Sequence, residues 1–478
     1  VSTPALPLGF RVQLDRRLWW LDRGAAVLGG SPPRLLRLRP AARERLAEQP
    51  MTVRDSASAA LARTLLDAGV AHPRPVGGPT PEQVTVVVPV RDNAAGVQRL
   101  LAALTPGTPV VVVDDGSGSA HRRQLATVVA EHGAELVRHP TSRGPAAARN
   151  TGLARARTPF VAFLDSDVVP TPGWLTALLP HLADPAVALV APRIVALPAG
   201  RGWVARYETL RSSLDLGPRE AGVLPRSRVA YVPSAALLVR VAAVSGDERG
   251  CFAAEMSVAE DVDLCWRLHA RGWRLRYEPA ARVAHQHRTR VGTWLRRKAF
   301  YGTGAAPLAA RHPRQVPPVV LAPWTAVAAA LLLTGRRTGV TGAVVVTAVA
   351  TVRLSRSLTG LHHPLATAAV LAPRGLYGAL TQLASAAWRS YWPVTLLVAA
   401  LSPRARRVLL AAGVLDGLAD WATHRDTTPR RDGSAPSRLD PLRYLVAKRL
   451  DDLAYGTGLW WGALRAGEPA ALRPELTR

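Results

Sequence analysis

The chain has 478 residues, enough for two to four domains at about 100–200 residues each. Lys and Arg total 61 against 34 Asp and Glu, a net charge of +27, and 48% hydrophobic content excludes a disordered polycation. Two cysteines, Cys251 and Cys265, exclude a disulfide scaffold and a Cys-rich zinc module.

The first 24 residues carry Arg11, Asp15, Arg16 and Arg17 and have no uninterrupted apolar segment of the signal-peptide kind. With two unpaired cysteines, this predicts a catalytic part on the cytoplasmic side of the cell membrane. Residues 10–21 read as short strands, followed by a Gly29-Gly30-Ser31-Pro32-Pro33 turn and helices over 41–48 and 57–68. Gly69 suits the left-handed position after the second helix, and 72–79 reads as a linker.

From residue 81 the pattern changes. The valine-rich runs 84–90 and 110–113 are continuous, as expected for parallel strands buried on both faces. Between them 94–104 has helical spacing, and the alternation continues through 125–131, 135–138, 146–156 and 160–164. This predicts an open α/β sheet, whose ligands bind beyond the carboxyl ends of the strands.

Polar residues at those ends carry the chemistry. The run 160–164 leads into Asp165-Ser166-Asp167, and in an extended segment the two carboxylates share one face. Such a pair suits a hard divalent cation, Mg²⁺ or Mn²⁺. Arg91-Asp92-Asn93 and Asp114-Asp115-Gly116-Ser117 follow the two valine runs, offering acceptors for a base or ribose. Within Ser142–Asn150, Gly144 permits a tight turn and Pro145 suits a first helical position. Arg143 and Arg149 flank this helix start, an arrangement suited to a diphosphate. Each cluster alone is also what an ordinary turn or helix cap requires. Downstream, Glu260 and Asp261 open a helical pattern, either as dipole-favoured caps or as a general base. His285 and His287 follow a short strand at 282–284, and one could be a third metal ligand.

The ordered series Val86-Val87-Val88-Pro89, Asp114-Asp115-Gly116-Ser117, Arg143-Gly144-Pro145 through Arg149-Asn150, Leu164-Asp165-Ser166-Asp167 and Glu260-Asp261-Val262-Asp263 resembles the motifs of the family 2, GT-A fold, nucleotide-sugar glycosyltransferases. The resemblance covers roughly residues 84–305 and implies a Rossmann-like open mixed sheet and an inverting displacement on a nucleotide sugar. It implies that Pro89, Arg91, Asp92, Asp114, Asp115, Arg143, Gly144, Arg149, Asp165 and Ser166 line the donor. Asp165, Asp167 and His285 or His287 would hold the metal, and Asp261, beside Glu260, would be the base. No Gln-x-x-Arg-Trp motif follows His287, so a long polymer is not expected.

The opening Leu6-Pro7-Leu8-Gly9-Phe10, the Leu21-Asp22-Arg23-Gly24 and Leu28-Gly29-Gly30 segments and Tyr301-Gly302-Thr303-Gly304 resemble the mycofactocin-system subfamily. That resemblance implies a UDP-glucose donor and a peptide-derived acceptor or its precursor. Residues 1–78 resemble an α+β winged-helix-like module of the kind that recognises precursor peptides; the catalytic domain is expected over 79–310.

Residues 311–478 read as an apolar, Ala-rich helical region. Residues 315–335 form the one uncharged stretch near the 20 residues a membrane span needs, and Pro317, Pro318 and Pro323 shorten its helical part. Spans at 319–334 and 339–352 would place Arg336 and Arg337 outside, against the positive-inside tendency. A helical bundle on the cytoplasmic membrane surface is the competing expectation. The arginines spread through every region without a basic patch, so no nucleic-acid partner is expected. A polyprenyl-phosphate glycosyltransferase is the enzymatic alternative.

Overall fold

A computed structural model describes residues 4–197, 202–247, 249–425 and 439–477. They form two compact units: Val1–Ala199 with Ser212–His287, and Gly200–Arg211 with Arg288–Arg478.

The first unit is built on a nine-stranded mixed sheet. Its strands are β1 (Val84–Val90), β2 (Val110–Asp115), β3 (Glu135–His139), β4 (Phe160–Leu164), β5 (Val168–Pro170), β6 (Val187–Ala196), β7 (Ala221–Gly222), β8 (Ala236–Arg240) and β9 (Arg274–His285). The order is β5-β9-β6-β8-β4-β1-β2-β3, with β7 paired to β9. β4, β1, β2 and β3 are mutually parallel, whereas β8 runs antiparallel to both β4 and β6. This is the GT-A arrangement expected of the sequence. Every residue of β1 and β4 is buried, so the unbroken apolar runs reflect strands covered on both faces.

Helices α1 (Ala94–Ala103), α2 (Ser119–Glu131) and α3 (Pro145–Arg155) connect the parallel strands, and α4 (Glu260–Ala270) precedes β9. α1 is capped by Asn93, whose Oδ1 accepts from the Gly96 N–H at 3.1 Å. α3 starts at Pro145 after Gly144, whose φ of +89° a side chain rarely adopts. β9 is far longer than the strand expected at 282–284, because pairing with β6, β7 and β5 holds it over its length.

The N-terminal segment has its own core around Phe10, Val12, Val27 and Leu65. The two expected helices are present at Pro40–Ala47 and Ser56–Asp67. The linker expected at 72–79 begins later. Ala71–Pro73 is a strand paired with Arg11–Leu14, His72 bonds Asp15 at 3.1 Å, and Arg74 bonds Glu220 at 2.6 Å. Proline content suggested a linker, but the strand carries its Pro at its end, where a missing donor is tolerated.

The second unit is helical. Of residues 315–335 only Pro323–Leu333 is helical, since Pro323 is tolerated in the first turn while the two earlier prolines precede the helix. Among the described residues one helix, Arg337–Ser357, is long and apolar enough to cross a membrane. Further helices span Pro364–Arg389, Trp392–Leu401, Pro403–His424 and Pro441–Ala466. Pro364–Arg389 runs through Pro373, so the apolar stretches on either side of that proline belong to one helix.

Tyr301-Gly302-Thr303-Gly304 recurs as Tyr455-Gly456-Thr457-Gly458, a repeat that hydrophobic periodicity does not reveal. The two copies lie on packed helices, Val291–Thr303 and Pro441–Ala466. A Cβ on Gly302 would strike the Tyr455 carbonyl, and one on Gly458 would strike that of Ala299. The motif is therefore a close helix crossing. Beside it both lysines are buried in ion pairs: Lys298 with Glu208 at 2.9 Å and Asp451 at 3.3 Å, Lys448 with Asp416 at 2.9 Å and Asp452 at 3.1 Å.

Candidate active site

The polar strand ends converge within the first unit. Beyond β1, Asp92 adopts φ +54° and its own N–H donates to Ser117 Oγ at 2.9 Å. Its Oδ1 accepts from the Gly118 N–H at 2.8 Å, while the side chain stays largely exposed. Arg91 is also exposed and reaches Ser142 Oγ at 3.1 Å. Pro89 is buried in β1. Asp114 is buried, accepting from the Ser117 N–H at 2.9 Å.

Asp115 is committed to the loop before α3. Its carboxylate accepts from His139 Nδ1 (2.8 Å), Ser142 Oγ (2.7 Å), the Arg143 N–H (2.8 Å) and the Gly144 N–H (2.9 Å). Burial pushes its pKa up, but the Arg143 N–H and the other donors outweigh that and hold it below the ordinary carboxylate range. Asp115 thus builds the loop, and Arg143 projects from it exposed, with no side-chain partner among the described residues.

Asp165, Ser166 and Asp167 form a turn rather than an extended segment, closed by the Val168 N–H on the Asp165 carbonyl at 3.2 Å. The two carboxylates are therefore not aligned by strand alternation, as the sequence spacing suggested. Asn93 Nδ2 donates to the Ser166 carbonyl (3.1 Å) and to its Oγ (3.2 Å), tying the first acidic loop to this turn. Asp167 Oδ2 lies 3.5 Å from His285 Nε2, and the Gln286 N–H donates to the Asp167 carbonyl at 2.9 Å. His287 lies beside His285 with ring centroids 5.0 Å apart and planes inclined by 48°. β5 pairing places Val168 opposite His285, which is why residues 118 positions apart meet.

Glu260 and Asp261 begin α4 after Ala259, a non-glycine residue at φ +66°. Asp261 accepts from the Ser234 N–H at 3.0 Å and the Val262 N–H at 2.8 Å. Burial, then the neighbouring Glu260 charge, pushes its carboxyl up to about 7 despite those bonds and nearby Arg149. Arg149 is 2% exposed and bridges the halves of the site: Nη2 donates to Asp165 Oδ1 at 2.6 Å and Nη1 to Glu260 Oε1 at 2.9 Å. Both cysteine thiols are buried and pushed up to about 12 by burial, which leaves them unreactive.

No three His, Cys, Asp or Glu among the described residues converge tightly enough to cage a cation. Asp167 and His285 offer two donors at one edge, and Asp165 Oδ2 carries no hydrogen bond among the described residues. The chemistry of these donors fits Mg²⁺ or Mn²⁺, and Asp165, Asp167 and His285 are the residues that would hold it.

Sequence reading did not single out Asn93, Ser117, His139, Ser142, Ser234 and Phe252 as site residues. They act through hydrogen bonds between segments far apart in the chain. Only Asn93, Ser117 and Ser142, which sit inside the acidic and glycine motifs, carried any sequence signal.

Residues 85–244 match the model of Glycosyl transferase family 2. The pre-mycofactocin glycosyltransferase of Mycobacterium tuberculosis (strain ATCC 25618 / H37Rv) is 52% identical over 476 residues, covering 100% of both chains. Glycosyltransferase AglE of Haloferax volcanii is 32% identical over 136 residues, 26% of this chain and 44% of its own. Among solved structures, mannosyltransferase PcManGT from Pyrobaculum calidifontis has a TM-score of 0.37 and 21% identity, covering 63% of this chain and 83% of its own.

Proposed function

The chain belongs to glycosyl transferase family 2, among the pre-mycofactocin glycosyltransferases, and from that premise we propose that it moves glucose from UDP-glucose onto a peptide-derived redox-cofactor precursor. The observation that carries the mechanism is a half-buried carboxyl, Asp261, set beside Glu260, which Arg149 links to Asp165. Exposed Asp92 receives the nucleoside, and Arg143 with Arg91 receives the diphosphate. Asp165, Asp167 and His285 would hold Mg²⁺ or Mn²⁺, which when bound offsets the diphosphate charge.

Asp261 removes the proton from an acceptor hydroxyl as that oxygen bonds to the anomeric carbon. The bond from that carbon to the diphosphate breaks, UDP leaves with the electron pair, and the centre inverts. The product carries a new hydroxyl array, so several β-linked glucoses can be added in turn.

In this reading residues 1–78 recognise the acceptor or its precursor, 79–310 catalyse, and 311–478 contact the cytoplasmic membrane. Support for the last comes from an inverted polarity in the second unit. Val344, Val345, Leu397 and Leu415 are exposed, while lysines and aspartates are buried. The same exposed apolar helices favour a second reading, transfer onto a polyprenyl phosphate.

UDP release from a panel of UDP-sugars, with the peptide-derived precursor or a polyprenyl phosphate as acceptor, tests both. Divalent-dependent turnover of UDP-glucose with the precursor is expected. Preference for the lipid installs the second reading, and indifference to every nucleotide sugar defeats both.

A further inference from the structure

We infer that Arg149 is a positioning residue that locks Asp165 on the donor side to Glu260 on the acceptor side, making Glu260 an anchor and leaving Asp261 to take the proton. The inference deepens the glycosyltransferase reading above and rests on it.

Arg149 is too deeply buried to be a mobile diphosphate contact, with 2% of its surface exposed. Its terminal nitrogens face two segments that meet only in the folded chain: Asp165 at the end of β4 and Glu260 at the start of α4. The guanidinium also lies over the Phe252 ring, 5.2 Å from its centroid. Phe252 is in turn pinned by the next residue, Asn150, which donates to its carbonyl at 2.7 Å and accepts from its N–H at 2.9 Å. Residues 149 and 150 therefore fix the cation and the surface it rests on.

The two acids at the start of α4 are treated differently. Glu260 Oε1 is claimed by Arg149 and lies 3.3 Å from Ser234 Oγ. Among the described residues Asp261 accepts hydrogen bonds only from backbone N–H groups and feels Arg149 through charge alone. A carboxylate paired with a guanidinium is a weaker base than one without a partner. A lysine could not span both acids, because one ammonium lacks the planar fork that reaches two carboxylates at once.

The test compares full-length Arg149→Lys, Arg149→Gln and Arg149→Gln/Glu260→Gln with the wild type. UDP-glucose Kd should rise by no more than about tenfold in Arg149→Lys, as expected where Asp165 loosens, while single-turnover transfer falls on the order of 100-fold. In Arg149→Gln the acidic limb of the pH–rate profile should rise by about one pH unit. The double variant should be no worse than Arg149→Gln, since the two residues act as a pair.

An infrared carboxyl band that disappears in Asp261→Asn reports the same shift without turnover. A Kd loss matching the whole turnover loss would overturn the inference and make Arg149 a diphosphate contact. So would additive losses in the double variant, or an Asp261 band that titrates as in wild type. If Arg149→Gln does not fold, the Kd-against-turnover split in Arg149→Lys decides. If wild type consumes no nucleotide sugar, the proposed function fails, and the infrared band still judges the inference.

Discussion

Asn93 Nδ2 donates to both the carbonyl (3.1 Å) and the Oγ (3.2 Å) of Ser166, stitching the loop after β1 to the turn after β4. The same side chain caps α1 through its Oδ1, so one amide serves three groups. Asn93→Ala should cost about 1–3 kcal/mol of stability, the range for stranding partly buried partners. Because the turn holds Asp165 and Asp167, donor affinity should fall more than the maximal rate. Thermal unfolding and UDP-glucose titration check the two effects; a lost rate with unchanged affinity would refute the stitching role.

Asp115 is the keystone of the loop that presents Arg143. Its folded pKa is depressed, so its contribution to stability is present above the unfolded value near 4 and disappears as pH falls through the lower folded one. Asp115→Asn should abolish that dependence while weakening donor binding. Unfolding followed from pH 6 to pH 3 should show a shallower acid loss in the variant.

Asp261 has the opposite shift. Burial and Glu260 raise its carboxyl to about 7, so it is protonated, and unable to accept a proton, below that pH. Transfer should therefore rise with pH to a plateau above about pH 7, with Asp261→Asn binding donor yet losing transfer by about 10²–10⁴-fold. A flat profile between pH 5 and pH 8 would remove Asp261 from this role.

How far these features could be read from sequence follows from the range of the forces involved. β1 and β4 were legible because burial on both faces leaves an unbroken apolar run, and α3 because Gly144 and Pro145 mark its start locally. Asp165 and Asp261 stood out for the same reason, as acids at an element's edge. The antiparallel β8 between β4 and β6 did not, since pairing order is set by contacts between distant segments. Nor did the separate tasks of Asp92 and Asp115: both are aspartates after valine strands, and only the loop folding back at Ser142 distinguishes them. In the helical unit, counting uncharged residues favoured 315–335, yet Arg337–Ser357 is the longer helix because a helix accepts terminal arginines more readily than internal prolines.

That helical unit supports the last prediction. Val344, Val345 and Val349 project from Arg337–Ser357 with about half or more of their surface exposed, and Leu397 and Leu415 do so from neighbouring helices. Water penalises such a display by about 25 cal/mol per Å², while a bilayer removes the penalty. The packed face of Arg337–Ser357 is carried by Gly339, Ala343 and Ala350, so changing the outer valines should not unfold it. Val344→Glu/Val345→Glu/Val349→Glu should therefore shift the protein from the membrane pellet to the soluble fraction, with thermal unfolding little changed. Carbonate extraction separates the modes of contact: release of wild type by carbonate indicates surface docking, and retention indicates spanning helices. A triple variant that still sediments with membranes as wild type does would show that this face does not make the contact.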